Sequence, residues 1–74
     1  MRMRHDPQER DPRVRHFIEV AAIEAERELR EEGVEDKQLG YCHLVWSRQQ
    51  RILEEKYGID WKTPAEMNPN IMFD

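Results

Sequence analysis

The sequence predicts an all-α fold: an antiparallel helical hairpin with a short C-terminal helical turn and an apolar tail. Three observations lead there. Apolar residues recur at helical spacing over two long stretches. Glycines stand where each stretch ends, Gly33 after the first and Gly58 after the second. Thr63-Pro64-Ala65-Glu66 then reads as a capping box with proline at the first helical position.

The 74 residues suffice for one domain. A chain of this size buries only about 60% of its unfolded surface. A core shared between two helices is therefore marginal, and a second copy or another partner is expected to add to it. Residues 1–10 read as a flexible basic arm, since Arg2, Arg4 and Arg10 precede any clear apolar pattern.

Asp11-Pro12 supplies an N-cap acceptor followed by a residue that needs no amide partner, so the first helix is expected over 12–32. Val14, Phe17, Ile18, Ala21, Ala22, Ala25 and Leu29 form its apolar stripe. Val20 and Ile23 fall far from the centre of that stripe, about one turn apart, and mark a second candidate contact surface.

The second helix is expected over 35–57, with Leu39, Cys42, Val45, Trp46, Ile52, Leu53 and Tyr57 on one broad face and Gln49 within it. Gly40 interrupts this pattern, and the residues alone leave open whether it breaks the helix. Leu44 lies outside the face and joins Ile23 as a candidate for intermolecular burial. A short connection makes the two helices antiparallel neighbours. Beyond Gly58, Trp61 is expected to fold back over the open end of the hairpin, with the last helical turn over 64–67 and Asn68-Pro69 stopping it. The apolar tail Ile71-Met72-Phe73 packs either on its own hairpin or on a partner.

Sixteen acidic against twelve basic residues argue gently against wholesale phosphate binding. Cys42 is the only cysteine, so no intrachain disulfide is possible. No stretch approaches a membrane span and the start lacks the apolar core of a signal peptide, so a reducing cytoplasm is the expected compartment.

Candidate chemistry is sparse. Cys42 and His43 are adjacent, and adjacent helical side chains point about 100° apart, a poor geometry for a nucleophile and its base. His16 and Glu19 are three apart, but a metal site needs three or four ligands, and the Glu-x-x-His order of di-iron bundles is reversed here. No cofactor or metal is expected.

Leu39-Gly40-Tyr41-Cys42 followed by Val45-Trp46-Ser47-Arg48 resembles the glycine turn and recognition helix of helix-turn-helix DNA-binding repressors, which implies a DNA-associated regulator with Arg48 and Arg51 at the groove. The chain departs from that pattern at Asp36, where the family places a small buried residue, and at the bulky Trp46.

The reading that uses most of the residues is a non-enzymatic interaction protein. It is expected to pair with itself, as a homodimer forming a four-helix bundle, or with another protein, through Val20, Ile23, Leu44, Ile71, Met72 and Phe73. A small metal- or thiol-dependent enzyme is the third alternative.

Overall fold

The computed structural model describes residues 4–72. A short 3-10 turn, Pro7–Arg10, precedes helices α1 (Pro12–Glu31), α2 (Tyr41–Tyr57) and α3 (Pro64–Met67). The Asp11 carboxylate accepts the Arg13 amide at 2.9 Å and starts α1. Gly33, at φ 86°, turns the chain out, and the Val34 amide reaches back to the Leu29 carbonyl.

The cross-helix bonds fix the antiparallel sense. Arg48, in the first half of α2, meets Glu28 and Glu32 at the end of α1, whereas Lys56 and Tyr57, at the end of α2, meet Glu24. The core is a single layer made of Ile18, Ala21, Ala25, Leu29, Val45, Ile52, Leu53 and Trp61. Ala21 and Ala25 are fully buried, so the backbones approach where α1 has no bulk. Gln49 sits in this layer and donates to the Ile18 carbonyl at 2.9 Å, which satisfies an amide that would otherwise be costly to bury. The resulting plate has principal dimensions of 33 × 31 × 16 Å.

Two expectations are corrected. The second helix does not begin at residue 35. It begins at Tyr41, because Gly40 takes a left-handed conformation (φ 78°) that an α-helix cannot pass through, and turns occupy the segment before it. Leu39, expected on the buried face, is thereby swung out and is 82% exposed. The N-terminal segment, expected as a flexible arm, contains an ordered turn. Asp6 caps it by accepting the Gln8 amide, and Pro7 occupies its first position. Residues 1–3 of the expected arm lie outside the described residues.

The far end follows the predicted turn chemistry. Gly58 is left-handed (φ 64°), and its amide and that of Ile59 reach the Leu53 carbonyl. Trp61 folds back and is buried. Thr63 and Glu66 exchange both bonds of the capping box, at 3.2 Å each. The bond from the Thr63 amide holds the Glu66 carboxyl below its ordinary value.

Candidate functional site

Three surface features are candidates for function: a polar clasp around Trp61, an ion-pair cluster along one side of the hairpin, and a set of apolar side chains outside the core.

The clasp joins the two ends of the described chain. The Asn68 carboxamide accepts the Arg4 amide and donates to the Arg4 carbonyl, both at 2.7 Å. Asp6 accepts the amides of Gln8 and Lys62. Gln8 donates to the Asp60 carbonyl, and the Trp61 indole N–H donates to Glu9. Burial alone would push the Asp6 carboxyl up, but the amide bonds from Gln8 and Lys62 outweigh it and hold the carboxyl below its usual value. Among the described residues no buried side-chain polar atom is left without a partner. A cluster this fully satisfied positions structure and leaves no donor set aimed at a ligand.

The ion-pair cluster centres on Arg48, whose guanidinium spans Glu28 at 2.9 Å and Glu32 at 2.6 Å. Those bonds hold Glu32 below and Arg48 above their ordinary values. One turn pair away, Lys56 and Tyr57 both donate to Glu24, which is lowered chiefly by the Lys56 bond. Of the two residues considered for nucleic acid, Arg48 is thus engaged across the hairpin, while Arg51 is exposed. The segment before Gly40 forms turns, so the first helix of a helix-turn-helix is not formed there. An open cleft of about 850 Å³ lies under the interhelix loop, and Glu26, Arg30, Glu35, Asp36 and Lys37 line it with mixed charge.

The residues considered for catalysis are Cys42, His43, His16 and Glu19. Cys42 is half-buried in the first turn of α2, and the His43 ring lies edge-on to Trp46 at 5.6 Å. The His16 ring lies beside Phe17 at 5.7 Å. Among the described residues, no group of three or more His, Cys, Asp or Glu is placed to hold a metal ion. Among them, too, no helix is long and apolar enough to cross a membrane.

The apolar candidates are distributed over three elements. Ile23, on the outer side of α1, is 68% exposed, with Val20 half-buried one turn before it. Leu44 is 38% exposed on α2, close to the loop end of the hairpin. Ile71 is half-buried and Met72 is 92% exposed, both beyond α3 at the opposite end. Phe73 lies outside the described residues. Sequence reasoning missed two exposed apolar residues, Phe17 and Leu39. Phe17 lies against the Tyr57 ring, 4.9 Å between centroids, so its face is partly covered by α2. Reading Gly40 as a helix stop would have released Leu39 from the buried face. The clasp residues Asp6 and Asn68 were also missed, although Asp6-Pro7 carries the same cap-then-proline signal as Asp11-Pro12.

No protein-family model matches the chain, and no curated protein or solved structure matches it.

Proposed function

We propose that this protein is a non-catalytic association module that pairs with a second copy of itself. One observation carries the reading: among the described residues the core holds only eight apolar side chains, while Phe17, Ile23, Leu39, Leu44 and Met72 remain exposed. Leu53 is the only large side chain among the described residues that is wholly enclosed. A single-layer core of this kind is marginal by itself, and a second copy laid against it adds burial at no cost in new sequence. A reducing, cytoplasmic setting suits the lone cysteine.

The DNA-associated alternative has less support. Arg48 is bound to two carboxylates, and the surface around it carries Glu28 and Glu32. An enzymatic role has no metal-holding group of side chains among the described residues to recommend it.

Sedimentation equilibrium between about 1 and 500 µM, a range in which contacts of micromolar affinity become populated, tests the proposal. The expected result is a concentration-dependent rise from the mass of one chain toward that of two. A constant one-chain mass across the range would remove self-association and leave a foreign partner as the only form of the interaction reading.

A further inference from the structure

The outer side of α1 carries a row of five exposed residues spaced four apart: Arg15, Glu19, Ile23, Arg27 and Glu31. Successive members are offset by about 40° around the helix, so the row is a continuous ridge about 24 Å long. It lies away from α2, whose contacts with α1 run through Ile18, Ala21, Ala25 and Leu29. Read from the N-terminal end, the row runs positive, negative, apolar, positive, negative. Read from the other end, every sign is inverted about Ile23.

That inversion is the property an antiparallel pair of identical helices requires. A two-fold axis through Ile23 sets Glu19 of each copy opposite Arg27 of the other, and Arg15 opposite Glu31. A parallel pairing in the same register would set like charge against like at all four positions. The two outer charges of this row also oppose the dipole of their own helix, with Arg15 toward its N-terminus and Glu31 at its C-terminus. An antiparallel copy places the opposite charge beside each. The one ion pair the row makes among the described residues, Arg27 to Glu31, is long at 3.9 Å and largely exposed, so both side chains are available to a partner.

We infer that α1 is the homodimer seam, with two copies crossing antiparallel at Ile23 and held in register by Glu19–Arg27 and Arg15–Glu31 pairs. This rests on the self-association proposed above and specifies its geometry: the four long helices form a row, α2–α1–α1–α2, and not a square bundle. Val20 packs beside the axis against the stem of the partner's Glu26. His16 against Arg30 is the least favourable layer. With two apolar residues from each copy and exposed charges, the contact is of the weak, reversible class.

Charge exchange tests it. Glu19→Arg and Arg27→Glu each set like charges opposite one another twice in a homodimer. Each variant is expected to keep the helical content of the wild type, since both positions are exposed, and to weaken dimerisation by roughly tenfold or more. An equimolar mixture of the two variants restores every opposite-sign pair, so a heterodimer is expected at about wild-type affinity. The exchanged charges sit about 12 Å apart within one chain and cannot compensate there. Ile23→Lys puts two ammonium groups on the axis and is expected to leave one-chain mass only. If the wild type dimerises but the single variants and Ile23→Lys dimerise equally well, the α1 seam is wrong and self-association uses another surface. If the wild type never dimerises, both proposals fall together.

Discussion

The two ends of the hairpin are built in opposite ways. At the end where the described chain begins and finishes, Trp61 is buried beneath the N-terminal turn, and Asp6, Thr63 and Asn68 are buried with their polar atoms bonded. At the other end the helices are joined by an exposed loop over 33–40, with Leu39 in water and an open cleft beneath. The first end is fixed by many mutually dependent bonds. The second is held by the Arg48 clamp, by the glycines that begin and end the loop, and by Val34, Tyr41 and Trp46 packed against the core. With its exposed turns, the loop itself is expected to open before the clasp does.

Trp61→Ala should have the largest effect. It removes the only aromatic side chain among the described residues of the core and the indole N–H that donates to Glu9, with an expected loss of about 3–5 kcal/mol in denaturant unfolding. A loss below 1 kcal/mol would mean that the clasp is not coupled to the core. Asp6→Asn comes next. It keeps the shape but turns a donor toward either the Gln8 or the Lys62 amide, and about 1–3 kcal/mol is expected from the amide left unmatched.

Acid should reproduce part of that loss. The folded-state pKa of Asp6 lies below its ordinary 3.8, and those of Glu24, Glu32 and Glu66 lie below 4.5. A group lowered on folding contributes stability that is present above its unfolded pKa and disappears as pH falls through the folded one. Urea midpoints should accordingly be flat between neutral pH and about 5 and should fall below about 4.5, with the drop reduced in Asp6→Asn. Stability that rose on acidification below that point would contradict the hydrogen bonding described.

Arg48→Ala should cost less than either clasp variant, and added salt should shrink the difference, because the carboxylates it meets are partly in water. The smallest effect belongs to Leu39→Ser, within about 0.5 kcal/mol in the monomer. A larger loss there would show that Leu39 is covered in solution, and would move the association surface to the loop end.

The same contrast explains what the residues disclosed in advance. Local devices with fixed geometry were legible: the Asp11-Pro12 start, the left-handed Gly58, the Thr63–Glu66 box and the return of Trp61 all follow from neighbours in sequence. The eight core residues fell within the predicted stripes or at Trp61 for the same reason. The Gly40 break was ambiguous because Leu39 kept the helical period across it, and periodicity carries no information about φ. The clasp was illegible for another reason. Asn68 bonds Arg4 across 64 positions, and nothing local to Asn68-Pro69 distinguishes a helix stop from a tether to a distant strand of backbone. At the candidate site, exposure of Ile23 and Leu44 was readable from angle alone, whereas the engagement of Arg48 required knowing which carboxylates α1 would bring beside it.

The pairing of Asn68 with Arg4 has a practical consequence for geometry at larger scale. Arg4 and Asn68 are held together at the pole opposite the loop. Two attachments made there would be held side by side, and a ring closed between those positions would need only a brief linker to restrain the unfolded chain without distorting the folded one.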